Sequence, residues 1–194
     1  VKHAFSLIEE GKIAVLIDPN LETLELIDPV CLVDAIMAKQ NLGTKIEDAP
    51  LVIALGPGFT AQVDCDLVIE TKRGHSLGRI IREGSAESNT GIPGLVEGFG
   101  RERVVHSPCD GIFESKMGIG SLVETGDVIA TVGTTEVQAT ISGKLRGLLN
   151  NGLTVTKGFK IADIDPRREK ADHTTISDKA LCIGGAVLAA VDGF

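Results

Sequence analysis

The chain has no tryptophan and no tyrosine, and six phenylalanines are its whole aromatic complement. That leaves no stacking platforms of the kind that single-stranded nucleic acid needs. Positive charge is also scarce: 19 Lys and Arg stand against 27 Asp and Glu, for a net charge of −8. A general nucleic-acid binder needs a basic footprint to displace counterions from phosphate, so no nucleic-acid partner is expected. No stretch approaches the ~18 uninterrupted apolar residues of a membrane span, and nothing has the form of a signal peptide. No membrane association is expected. Cys31, Cys65, Cys109 and Cys182 form no CxxC pair, which excludes a spelled-out zinc ribbon or redox motif. Disulfide scaffolds are smaller and denser in cysteine, so the four read as reduced thiols of a cytoplasmic protein. His106 and Cys109, in "HSPC", could reach one metal. A closed site needs about four ligands, and no metal site is assigned.

What is present is ordinary for a packed core. The 194 residues suffice for one large or two small domains, with 43% hydrophobic and 24% charged residues. Glycine is abundant at 23, which favours tight turns and short strands. "IAVLID" (13–18) reads as a buried strand with a breaker. In "LIDPVCLVDAIMAKQN" (26–41), Val30, Val33, Ile36 and Met37 recur at helical spacing, and Gly43 closes the helix this predicts. "PLVIALG" (50–56) and "DLVIET" (66–71) read as further buried strands. Strands alternating with helices imply an α/β layer with a parallel component. The chain opens directly in a helix-like stretch, "HAFSLIEEGK" (3–12), so a further N-terminal portion is expected outside it.

Loops after such strands are where α/β proteins bind ligands. In "GPGF" (56–59), Gly56 and Gly58 could let backbone N–H groups approach an anion, although the Lys-Ser/Thr of a P-loop is missing; a plain tight turn fits equally. "ETKRGHSLGRIIREG" (70–84) gathers Lys72, Arg73, His75, Arg79 and Arg82 in an otherwise acidic chain. Arg73 and His75 flank Gly74 at a strand end, which suits an anionic ligand because Arg offers a planar fork of donors. A solvated helix face accounts for Arg82. Cys65, the cysteine nearest this cluster, is the candidate nucleophile if the protein is an enzyme, and a small buried residue otherwise. "GSAESNTGIPG" (84–94) is a lid, a cofactor loop or a connector.

The second half is duplicated. At a constant offset of 32 residues, Gly111 pairs with Gly143, Gly120 with Gly152, Val123 with Val155 and Gly126 with Gly158, laying "GSLVETGDVIATV" over "GLTVTKGFKIADI". One copy has too little surface to fold alone, so the two are expected to interleave into a small all-β unit. With "PCDGIFES" and "GDVIA", the pattern resembles the barrel-sandwich hybrid of biotinyl and lipoyl domains over 103–165. Those carriers present one lysine on the hairpin between the copies, here near Gly133–Val137. From Met117 to Gly143 there is no lysine, so neither biotin nor lipoate can be attached. The resemblance therefore implies a docking or spacing module. In the tail, Ser177 caps a helix with an apolar stripe of Leu181, Val187, Leu188 and Val191, expected over 176–192 and packed back on the first domain. Asp178 and Lys179 either cap it or face the site.

Six phrases in order resemble one family: "VDAIMAKQNLGT" (33–44), "APLVIALGPGFTAQVD" (49–64), "IETKRGHSLGRII" (69–81), "GSAESNTGIPG" (84–94), "KGFKIADIDPR" (157–167) and "ISDKALCIGGAVL" (176–188). They are similar to the accessory proteins of selenium-dependent molybdenum hydroxylases, the YqeB type. The resemblance implies an α/β protein: a partial Rossmann-like domain over 1–100 joined by helix 176–192, plus the barrel-sandwich hybrid over 103–165. It further implies an N-terminal strand, Gly-rich turn and helix outside this chain. The implied role is maturation of a molybdenum hydroxylase, with that enzyme or its maturation machinery as partner and a homo-oligomer left open. The implied ligand is the molybdenum cofactor, a nucleotide or a selenium intermediate, held by Gly56, Gly58, Arg73, Gly74, His75 and Arg79. A selenium- or sulfur-inserting enzyme using Cys65, and a docking protein without ligand chemistry, stand as alternatives.

Overall fold

The computed structural model describes residues 2–91 and 94–194. The protein is a mixed α/β chain, mostly sheet with few helices. It divides into two compact units, Val1–Asn89 with Asp178–Phe194, and Thr90–Ser177.

The first unit holds helices α1 (Lys2–Glu9) and α2 (Leu24–Ile27) and strands β1 (Cys31–Asp34), β2 (Leu51–Leu55), β3 (Thr60–Ala61), β4 (Leu67–Ile69), β5 (Ile80–Ile81) and β6 (Gly84–Ser85). Helix α3 (Asp178–Asp192) completes it. The main sheet has the order β1-β2-β4-β5, with β1, β2 and β4 parallel and β5 antiparallel at the edge. Every residue of β2 is buried, which explains its unbroken apolar sequence, because a parallel strand is covered on both faces. Leu51, Ile53 and Leu55 pack with Leu67 and Ile69 under Ile183 and Ala190 of α3. Val52, Ala54 and Val68 face the other way, against Phe59, Ala61, Cys65 and Ala86.

Three local expectations fail here. Of the apolar stripe expected on α3, Leu181, Leu188 and Val191 are exposed and only Val187 packs on the core; Ile183, Ala186 and Ala190 supply the covering face instead, because the sheet meets a different side of the helix. Residues 13–18 form no strand: Ile13, Val15 and Ile17 are 91%, 89% and 101% exposed, because no described strand pairs with them. The helix expected from Val30 to Gly43 is absent. Cys31–Asp34 is strand β1, paired in register with Leu51–Ala54, and Asp28 closes the short helix α2 in a left-handed conformation. Pairing along a buried neighbour outweighed a helical spacing carried by four residues. Met37 and Lys39 then take φ of +57° and +66°, which turns the chain out of the strand.

The second unit contains strands β7 (Val104–His106), β8 (Gly111–Ser115), β9 (Leu122–Val123), β10 (Val128–Val132), β11 (Thr135–Gln138), β12 (Gly143–Leu148), β13 (Thr154–Val155) and β14 (Lys160–Asp165). They form two four-stranded sheets, β11-β10-β8-β13 and β7-β14-β12-β9. The 32-residue offset maps β7–β10 onto β11–β14, and it maps one sheet onto the other. Each sheet takes its two inner strands from one copy and its two outer strands from the other. Equivalent side chains fill one core: Val105 and Val137, Phe113 and Leu145, Val123 and Val155, Ile129 and Ile161, Val132 and Ile164. Equivalent turn bonds recur, with Gly126 N donating to Ala139 O at 2.9 Å and Gly158 N to Ser107 O at 2.8 Å. Gly143 sits so close to β14 that a Cβ there would lie 2.5 Å from the Asp165 carbonyl oxygen.

Asp165, at the end of β14, is a buried carboxylate. Its Oδ1 accepts from Arg167 Nε at 2.9 Å, and its Oδ2 from Arg167 Nη2 at 2.6 Å. Arg146 Nη1 lies 3.6 Å from Oδ2. The Arg167 hydrogen bonds hold its pKa below 3.8, outweighing burial. A depressed carboxylate stabilises the fold above its unfolded pKa and loses that contribution as pH falls through the folded value. Asp165→Asn is therefore expected to lower stability by roughly 1.5–3 kcal/mol at pH 7. The deficit relative to wild type should shrink on acidification below the ordinary carboxylate range, as read by urea denaturation at a series of pH values.

Candidate functional site

The parallel strands β1, β2 and β4 point the same way, so the loops after Asp34, Leu55 and Ile69 emerge along one edge of the sheet. Each is tied down locally. Asp34 is buried and accepts from Thr44 Oγ1 at 2.7 Å and from Ile36 N at 3.1 Å. Asn41 Oδ1 accepts from the backbone N–H of Gly43 and of Thr44, each at 2.8 Å, which folds the loop 35–44 into a compact turn carrying Lys39 and Gln40.

The glycines of the second loop are explained by packing. A Cβ on Gly56 would lie 2.7 Å from Thr71 Oγ1, and one on Gly58 would lie 2.5 Å from Gln40 Cα. These close approaches bring the three loops together at the edge. Gly56 is buried; Gly58 is exposed. Gly74, by contrast, has φ +137° and open space where a side chain would be.

The third loop carries the basic residues. Glu70 is buried, and its two oxygens accept from Lys72 N at 2.8 Å and Glu87 N at 2.7 Å. This pins the start of the 84–94 loop beside the end of β4; Ile92 and Pro93 of that loop lie outside the described residues. Lys72 is ion-paired with Glu87. Arg73 makes a two-pronged pair with Asp178, Nη2 lying 2.8 Å from Oδ1, which fastens the first turn of α3 to the basic loop. His75 and Arg79 are exposed. Arg79 contributes through its backbone, whose carbonyl accepts from Glu70 N at 3.0 Å.

The Arg73–Asp178 pair sets Lys179 in the same neighbourhood. Lys179 is half-buried, and its amine feels Arg73, Glu70 and Lys39. Burial first, and then the positive charge of Arg73 and Lys39, push its pKa below the ordinary lysine value, with Glu70 opposing. Among the described residues, neither Lys39 nor Lys179 has an ion-pair partner. The edge thus offers cations from the loops after β1 and β4 and from the head of α3. The arrangement is suited to holding an anion. Lys39 carried no local signal, because it sits in a stretch that reads as helix.

Other sequence candidates fall elsewhere. Cys65 precedes β4 and Arg73 follows it, so some 15 Å of extended chain separates their levels in the sheet. The Cys65 thiol is fully buried, and burial together with Asp64 raises its pKa to about 11. Its surroundings are those of a packing group: burial and the nearby carboxylate oppose the thiolate that a nucleophile needs. Arg82 follows β5, which runs antiparallel to β4, and so reaches the opposite end of the sheet. There it lines a cleft of about 250 Å³ with Leu51, Leu67, Ala190 and Phe194. In the second unit His106 is exposed, and Cys109 Sγ donates to Val132 O at 3.6 Å. Among the described residues no cluster of three His, Cys, Asp or Glu could hold a metal ion, and no helix is long and apolar enough to cross a membrane. The hairpin joining β10 to β11 turns at Gly133 and Thr134, with φ +56° at Gly133. Gly133, Thr134, Thr135 and Glu136 are all exposed at its tip.

No family model matches the chain. It is 54% identical over 188 residues to the uncharacterized protein YqeB of Escherichia coli (strain K12), the type that the six phrases resemble. The match takes in 97% of this chain and 35% of that protein, so the chain spans about a third of the length of the relative. Among solved structures, an aspartoacylase family protein from Mesorhizobium loti is 16% identical with a TM-score of 0.32, over 44% of this chain and 27% of its own. The product-bound ectoine utilization protein EutE (DoeB) from Ruegeria pomeroyi is 22% identical with a TM-score of 0.31, over 44% and 27%.

The two loop glycines that differ in surroundings should differ in tolerance. Gly58→Ala meets both a positive φ of +107° and the Gln40 backbone, whereas Gly74→Ala meets only its positive φ. The left-handed conformation alone costs roughly 1–2 kcal/mol. Gly58→Ala is expected to lose more than this and Gly74→Ala no more, as measured by the midpoints of denaturant unfolding.

Proposed function

We propose that this chain belongs to an accessory protein that matures a selenium-dependent molybdenum hydroxylase, and that the sheet edge of its first unit binds an anionic cofactor or intermediate. The observation that carries this reading is the convergence of Arg73, Lys179 and Lys39 on the loops after parallel strands, where α/β sheets bind their ligands. The phosphate of a molybdenum-bound pterin, or of a nucleotide, has the charge for it. The maturation role rests on the likeness of the six phrases to the YqeB type. In this reading the first unit is a partial Rossmann-like layer. The second is a barrel-sandwich hybrid, supported by its duplicated, strand-exchanged sheets. The protein works in the cytoplasm with the hydroxylase or its maturation machinery.

A docking role without ligand chemistry is the second reading, favoured by the exposed, lysine-free hairpin tip at Gly133–Glu136. In carriers of this shape the hairpin presents the cofactor lysine; a module that keeps the hairpin without the lysine is suited to contact alone.

Elemental analysis and native mass spectrometry separate the two. Protein isolated from cells fed molybdate and selenite is expected to carry molybdenum, selenium or a pterin in stoichiometric amount, and Arg73→Ala to reduce that occupancy at least tenfold. A wild-type protein with no bound element or pterin favours the docking reading. Lys179 binds an anion best when charged, so affinity is expected to fall as pH rises through its lowered pKa, beginning below the ordinary lysine range. Arg73, Lys39 and Glu70 face the same amine and set that midpoint.

A further inference from the structure

We propose that Lys179 forms an imine with an anionic ligand that carries an aldehyde or ketone, so that the sheet edge is a covalent carbonyl site as well as an anion site. The inference rests on the anion-binding reading above and adds a reaction to it.

Among the described residues, half-burial without a partner sets this lysine apart, since Lys39, Lys45, Lys116, Lys157 and Lys170 are exposed. Lys72 is engaged with Glu87, Lys12 with Glu10 and Lys160 with Asp163. Lys144 donates to the Ala171 carbonyl at 2.6 Å. Lys179 has no such partner among the described residues, is half-buried, and lies beside two other cations. Arg73, held by Asp178 next to Lys179, and Lys39 on the loop after β1 would hold the ligand's anionic group while the amine meets its carbonyl. Burial and the neighbouring cations both work against the charged form of this amine, and the neutral amine is the nucleophile.

The step is a condensation. The nitrogen lone pair adds to the carbonyl carbon to give a carbinolamine, whose hydroxyl leaves as water with a proton from solvent. A C=N bond replaces the C=O bond, the amine loses two protons overall to the departing water and solvent exchange, and nothing is oxidised or reduced. The Glu70 carboxylate offsets the positive charge of a protonated imine.

Pyridoxal 5′-phosphate, which joins an aldehyde to a phosphate, serves as the probe. The chain is incubated with it, reduced with borohydride and mapped by peptide mass spectrometry. Binding of inorganic pyrophosphate is measured separately by calorimetry. The expected result is labelling of Lys179 at least tenfold above exposed Lys12, suppressed by pyrophosphate. In Lys179→Arg, checked for folding by circular dichroism, that label should be lost while background labelling persists. Pyrophosphate binding with label spread evenly over exposed lysines overturns the imine and leaves the anion site standing. Absence of pyrophosphate binding overturns both. Label on Lys179 that pyrophosphate does not suppress also overturns the proposal, because recognition would then owe nothing to the anion.

Discussion

A parallel sheet must be covered on both faces, and the first unit meets that demand with a helix from the far end of its sequence. β2 and β4 are buried and apolar on both sides, and the connections among β1, β2 and β4 contribute no α-helix. The face formed by Leu51, Ile53, Leu67 and Ile69 is closed by α3, which the chain supplies after the whole second unit has been traversed. The position of the candidate site follows. Once Ile183 and Ala190 are seated on the sheet, the first turn of α3 lies at the edge where the loops after β1, β2 and β4 emerge, and Asp178 reaches Arg73. The half-buried Lys179 is a product of the same packing.

The second unit solves a different problem, that of making a core from copies too small to fold alone. Exchange of outer strands gives each sheet members of both copies, so neither copy can bury Phe113 or Leu145 without the other. The pairs that coincide across the 32-residue offset are buried core residues and turn glycines, such as the exposed Gly126 and Gly158. Outward positions are free to diverge, as the exposed hairpin at Gly133–Glu136 illustrates.

Much of this was legible in residues. The runs "PLVIALG" and "DLVIET" gave two of the parallel strands, since burial on both faces leaves no polar alternation to confuse. The duplication was readable because glycines at turns and valines in the core are dictated locally. The loop from Lys72 to Arg79 stood out by charge alone. The strand at Cys31–Asp34 was misread as helix because four apolar residues fit a helical period by spacing, while the β2 neighbour that decides the matter is some twenty residues away. Gly56 and Gly58 have the sequence form of an anion cradle, whereas their close neighbours are Thr71 and Gln40.

The sequence by itself determined the periodicities, the repeat and the charge of each loop, because these depend on residues close together in the chain. Only the tertiary structure decided which cations share a site. It split Arg73 from Arg82 by placing them at opposite ends of β4 and β5, and it withdrew Cys65 into a dry interior. It joined Lys39 and Lys179, 140 positions apart in the numbering, at one edge. The physical reason is that a pKa or a binding site is set by charges and burial within a few ångströms in space. Those neighbours are assigned by how strands pair and what covers them.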